Sequence, residues 1–167
     1  MKIGLPKEIK NHEHRVGMVP SSVMELVARG HEVLVETGAG VGIGFQDDDF
    51  ASVGATISPN AKAVFEKADM IIKVKEPQPE ECQMLRENQI LFTYLHLAPD
   101  PKQTELLLAS GCVAIAYETV TDRFGGLPLL SPMSEVAGRM SIQAGAHCLE
   151  KTDGGSGILL GGVPGVE

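Results

Sequence analysis

"NAKAVFEKADMIIKVKEPQPEECQMLRENQILFTYLH" occupies residues 60–96. Two patterns alternate within it. "NAKAVFEKA" (60–68) has helical spacing, and "MIIKVK" (70–75) is a short apolar run that reads as a strand. "PEECQMLREN" (79–88) returns to a helix, and "QILFTYLH" (89–96) to a strand. The alternation continues downstream. "PKQTELLLASG" (101–111) is a helix opened by Pro101 and closed by Gly111, and "CVAIAYETV" (112–120) is a strand. Upstream, "KIGLP" (2–6) and "HEVLVET" (31–37) are strands. Between them "SSVMELVARG" (21–30) is a helix, with Ser21 as its cap and Gly30 as its stop. "FASVGA" (50–55) forms a short helix, with Asp47–Asp49 placing negative charge before its N-terminus. Strands and helices joined by short links predict an α/β fold, a doubly wound, mostly parallel sheet.

After a turn at "TDRFGGLPLL" (121–130), the pattern changes. "SPMSEVAGRMSIQAGAHCLEKT" (131–152) is the longest helical stretch. Ala137, Ser141, Ala144, Gly145 and Cys148 form a stripe of small residues along it, which lets another backbone approach closely. Ordinary core packing explains such a stripe, but its place after the sheet favours a connecting helix. The expected division is an α/β domain at 1–130, and at 131–167 a connecting helix and the start of a crossing to a further domain.

The chain has 167 residues, enough for a core without disulfides. Aromatics make up only 4% of it, so Leu, Ile, Val and Met must fill that core. The net charge of −8 argues against nucleic-acid binding, because the surface would repel phosphates. Cys82, Cys112 and Cys148 are scattered and unpaired in pattern, as expected of reduced, mostly buried thiols. The charged N-terminus is unlike a signal peptide, and "LLLASGCVAIAY" is too short to span a bilayer. The expectation is a soluble, cytoplasmic chain with no membrane partner.

Two glycine-rich stretches invite a nucleotide reading. "GAGVGIG" (38–44) follows a strand, but the GxGxxG spacing fails at Ile43 or at Phe45. Nearby aspartates would also oppose a pyrophosphate. A structural loop with glycines at positive φ is the better reading. In "GGVPGVE" (161–167) Pro164 breaks the run and no helix follows. No Walker, HExxH or paired-cysteine pattern occurs, so no metal is expected. His12 and His14 read as solvent-exposed.

Parallel sheets bind ligands beyond the carboxyl ends of their strands. Arg15 follows the first strand, Lys75 ends "MIIKVK", and His96 ends "QILFTYLH" with Tyr94 on the same side. Tyr117 and Glu118 sit near the next strand end. Arginine and lysine can hold a small carboxylate, and histidine moves protons near neutrality. Together they suggest a site for a small keto or amino acid. Singly, each reads as a surface charge or a hydrogen-bonded strand end.

These residues lie in blocks that closely resemble the bacterial alanine dehydrogenase family: "GLPKEIKNHEHRVGMVP" (4–20), "IKVKEPQ" (72–78), "LFTYLHLAPD" (91–100), "AYETV" (116–120), "PLLSPMSEVAGRMSIQAGA" (128–146) and "GILLGGVPGVE" (157–167). The blocks run in order over essentially the whole chain. Several are shared with nicotinamide nucleotide transhydrogenase and saccharopine dehydrogenase. The resemblance implies a two-domain enzyme that interconverts L-alanine, water and NAD⁺ with pyruvate, ammonium and NADH. It implies that Arg15 and Lys75 bind the substrate, His96 is the acid–base catalyst, and Tyr94 and Met133 line the pocket. Ser134 would touch the dinucleotide. It further implies that most of the NAD site lies in a domain after Glu167, so that this stretch alone would be inactive, and that the intact enzyme is a homo-oligomer, usually a hexamer. The alternatives are the corresponding domain of a transhydrogenase, or a stand-alone module that binds a small carboxylate or mediates assembly.

Overall fold

Ile71 and Ile72 are neighbours in one strand, yet they enter two different cores. Successive side chains of a strand point to opposite faces, so a strand apolar at every position must be covered on both. The computed structural model describes residues 1–166 and meets this demand with a single six-stranded sheet. Its strands are β1 (Lys2–Leu5), β2 (Glu32–Glu36), β3 (Thr56–Ser58), β4 (Met70–Ile72), β5 (Ile90–Thr93) and β6 (Val113–Ala116). The helices are α1 (Pro20–Ala28), α2 (Asp47–Ser52), α3 (Ala61–Lys67), α4 (Pro79–Cys82), α5 (Pro101–Ser110) and α6 (Ser131–Cys148).

The order across the sheet is β3-β2-β1-β4-β5-β6, and every pairing is parallel. One face packs Val23 of α1 and Phe50 of α2 against Ile3, Leu5, Val33 and Val35. The other packs Val64 and Phe65 of α3 and Leu107 of α5 against Leu34, Ile71 and Leu91. This is the doubly wound α/β sheet expected from the alternating pattern. The order reverses between β1 and β4, which opens a crevice at the carboxyl ends of those two strands.

Local chemistry moves several boundaries. The strand β3 has only three residues and escaped the sequence pattern. Helix α1 begins at Pro20, one residue before Ser21, which therefore does not cap it. Gly30 does stop it, at φ 82°. Asp47, Asp48 and Asp49 form the first turn of α2 instead of preceding it, and Gln46 and Asp49 close a capping box. Helix α4 is a single turn, much shorter than 79–88. The strands β4, β5 and β6 each end before their apolar runs do. Residues Tyr117–Thr119 form a 3₁₀ turn, and α6 ends at Cys148.

Residues Met1–Thr119 form one compact unit, and the chain from Val120 onward forms a second. In the second, the Asp122 carboxylate caps the turn at Gly125 and Gly126. No residue of α6 is buried. Of the cysteines only Cys82 is buried; Cys148 is exposed, contrary to the expectation of mostly buried thiols. Among the described residues, no helix is long and apolar enough to cross a membrane.

Candidate active site

The loop from β1 to α1 carries Arg15 over the crevice between β1 and β4. Two glycines set its height. A Cβ on Gly17 would lie 2.7 Å from the Ile72 carbonyl oxygen, and one on Gly42 would lie 2.5 Å from that of His14. Only glycine allows these backbones to approach so closely. Within the loop, Nε and Nη2 of Arg15 donate to Glu13 Oε1 and Oε2 at 2.8 and 2.6 Å. The Glu13 side chain is 7% exposed and that of Arg15 40%. A fixed carboxylate therefore orients a guanidinium that reaches solvent. A cavity of about 230 Å³ opens beside the pair, between this loop and residues 38–42.

Lys75 lies three residues past the end of β4. Glu8, from the β1 loop, holds that extension: its Oε1 accepts from the backbone N–H of Val74 at 2.6 Å and of Lys75 at 3.3 Å. Its Oε2 accepts from Lys73 Nζ at 3.0 Å, and Lys73 donates again to Glu81 at 2.7 Å. Lys73 is completely buried, so the first lysine of "KVK" is structural. Lys10 and Glu76 form a further ion pair between the same two loops.

On the next strand tip, the rings of Tyr94 and His96 stack at 6.1 Å, and Tyr117 packs edge-on against Tyr94 at 5.0 Å. The backbone of His96 is left-handed, at φ 49°. Its N–H donates to Glu118 at 2.8 Å, and the Leu95 N–H donates to the same carboxylate at 3.1 Å. Gln103 donates to the Leu95 carbonyl at 3.1 Å from the other side.

Ionisation behaviour ties these groups together. Hydrogen bonding from Arg15 holds the Glu13 carboxyl down at about 2, with the Lys75 charge contributing. Burial pushes the Tyr94 phenol up, against the pull of Arg15. Burial alone would raise Glu118, but N–H donors and the His96 charge outweigh it and hold the carboxyl low. Arg15, Lys75, Tyr94 and His96 lie past the carboxyl ends of the parallel strands β1, β4 and β5. Met133 and Ser134 lie in the first turn of α6, in the second unit, where the Ser134 hydroxyl donates to the Leu130 carbonyl. Glu8, Glu13 and Glu81 were not singled out from sequence. Only their placement among motif lysines and arginines hinted at a pairing role.

The loop at 38–44 does not cradle a phosphate. The Asp47 carboxylate already accepts from the Gly38 N–H at 2.8 Å and from the Thr37 hydroxyl at 2.5 Å. Gly38 and Gly44 take positive φ, as the structural reading expects, whereas Gly40 and Gly42 serve close packing instead. The β1–α1 loop, where a dinucleotide fingerprint would sit in this topology, carries Arg15 and no glycine triplet.

The model of the family described as "Alanine dehydrogenase/PNT, N-terminal domain" matches residues 4–137. The chain belongs to this family. Among curated relatives, an alanine dehydrogenase of Halomonas elongata is 58% identical over 99% of the chain, and one of Bacillus subtilis is 56% identical over 99%. The chain covers 45% and 43% of those proteins, so it spans about half the length of the relatives it matches. A solved structure of L-alanine dehydrogenase superposes over the whole chain and 46% of its own, with TM-score 0.87 and 54% identity. A transhydrogenase from Sinorhizobium meliloti is more distant, with TM-score 0.68 and 26% identity over 74% of the chain and 36% of its own.

Proposed function

We propose that this chain is the substrate-binding half of an NAD-dependent L-alanine dehydrogenase, which reversibly converts L-alanine to pyruvate and ammonium. The observation that carries the reading is the placement of Arg15 after β1 and Lys75 after β4, on the two sides of the switch point, with His96 past the end of the adjacent strand β5. Arg15 and Lys75 would take the carboxylate and keto oxygens and fix Cα in one orientation, an effect that removes much of the entropic barrier. His96 would take a proton from the attacking water and return one as ammonia departs. Tyr94 would close one wall. NAD supplies the hydride chemistry when bound. Its phosphates would be held by residues beyond those described, with Ser134 as a contact from this chain.

The same reading places the full-length enzyme in the cytoplasm as a homo-oligomer, usually a hexamer, with neither nucleic acid nor membrane as partner. This 167-residue stretch alone would not turn over. Assay of the full-length protein with pyruvate, ammonium and NADH tests the reading. The expected result is NADH oxidation that requires both pyruvate and ammonium. Hydride exchange between two nicotinamide nucleotides without pyruvate would instead support the transhydrogenase reading. Pyruvate binding without turnover would support a carboxylate-binding module.

A further inference from the structure

We propose that Glu118 is the positioning residue for the His96 imidazole, an inference that rests on the acid–base role assigned to His96 above. Three observations carry it. First, the His96 backbone is left-handed at φ 49°, a conformation uncommon outside glycine, which turns the chain sharply at the strand tip. Second, the turn is held by a side chain from another element: one carboxylate accepts both the Leu95 and the His96 N–H, at 3.1 and 2.8 Å. Third, Glu118 is itself anchored. It sits in the 3₁₀ turn after β6, beside Tyr117, whose ring packs edge-on against Phe92 at 4.3 Å and Tyr94 at 5.0 Å.

These contacts form a closed circuit. Tyr117 braces the aromatic side of the β5 tip, and Tyr94 stacks on the imidazole at 6.1 Å. Glu118 turns the backbone so that the imidazole leaves the strand direction. Gln103 fixes the Leu95 carbonyl on the opposite side, so the peptide between Leu95 and His96 is held at both ends. Glu118 donates nothing to the reaction. It sets the direction from which His96 meets the reacting carbon. Glu13 orients Arg15 and Glu8 holds the Lys75 backbone, both from the β1 loop, whereas Glu118 comes from the turn after β6.

Those different origins make the proposal testable by separating turnover from binding. In the full-length enzyme, Glu118→Ala should lower kcat for pyruvate amination about 100-fold, the cost of misplacing a catalytic group by about 1 Å. The KM for pyruvate should change less than about threefold, because the carboxylate clamp is untouched. Glu118→Gln keeps one carbonyl acceptor, so it should recover part of the loss. It also serves if the alanine variant does not fold. In a His96→Asn background, Glu118→Gln should have no further effect on kcat, because there is no imidazole left to aim. Parent-like kcat in Glu118→Gln and Glu118→Ala, a rise in KM in place of the fall in kcat, or a full additive loss in the His96→Asn background would each overturn the proposal. Full activity in His96→Asn alone would instead remove the acid–base role of His96, a separate failure.

Discussion

Glu13 and Arg15, two residues apart, meet side by side through two hydrogen bonds of 2.8 and 2.6 Å. The pair is internal to one loop, so it orients the guanidinium before any substrate arrives. Glu13→Gln keeps the shape but weakens two charge-assisted bonds. In the full-length enzyme the KM for pyruvate should rise about tenfold, with kcat changed much less. Steady-state kinetics with varied pyruvate checks this.

The same pair predicts an acid dependence of stability. The Glu13 carboxyl is lowered from 4.5 to about 2 in the folded chain. A depressed carboxyl stabilises the fold above its unfolded value and loses that contribution as pH falls through its folded value. Glu13→Gln should therefore cost about 1 kcal/mol near neutral pH, since the exposed side of Arg15 is screened by water. The difference from the parent should vanish as pH drops from about 4.5 to about 2. Urea unfolding of both chains across that range measures it.

Lys73 is completely buried between Glu8 and Glu81. Lys73→Met would strand two carboxylates in the core, which costs about 3–5 kcal/mol. Burial already pushes the Glu81 carboxyl up, with Lys73 opposing it. Without the lysine, folding would take up protons, so the variant should grow less stable as pH rises and recover toward acid. Denaturant midpoints at pH 5 and pH 8 would show this slope, and a pH-independent deficit would contradict it.

How much of this was legible in the sequence depended on residue type. The alternating runs revealed the parallel sheet, because strands buried on both faces are apolar throughout. The strand ends were not legible. Lys73–Lys75, Tyr94–His96 and Tyr117–Thr119 have strand-like composition, yet they lie past the last paired residues of β4, β5 and β6. The cations and the imidazole stood out because each has few uses at a strand end. Glu8 and Glu13 did not, because a glutamate near lysines looks like solvated surface until its partner is known. Thr56–Ser58 was too short to leave a period.

Gly42 has no side chain at the site, yet it sets the loop that carries Arg15. A Cβ there would meet the His14 carbonyl oxygen at 2.5 Å. Gly42→Ala should cost about 1–3 kcal/mol through overpacking and weaken pyruvate binding by displacing the Arg15 loop. Thermal unfolding and pyruvate KM, measured together, test both effects.

The thiols should separate by reactivity. Burial pushes the Cys82 thiol up to about 11, while Cys148 is exposed on α6. Iodoacetamide at pH 8 should modify Cys148 first and leave Cys82 untouched until the fold opens. Peptide mass spectrometry over a time course gives the order.

The left-handed turn at position 96 sets two selections against each other. Asparagine or glycine would relax that backbone, and neither carries an imidazole. A saturation library at this codon, sorted only for yield or heat resistance, should drift toward those two residues and lose turnover as it does. Sorting for turnover should return histidine against the local conformational preference.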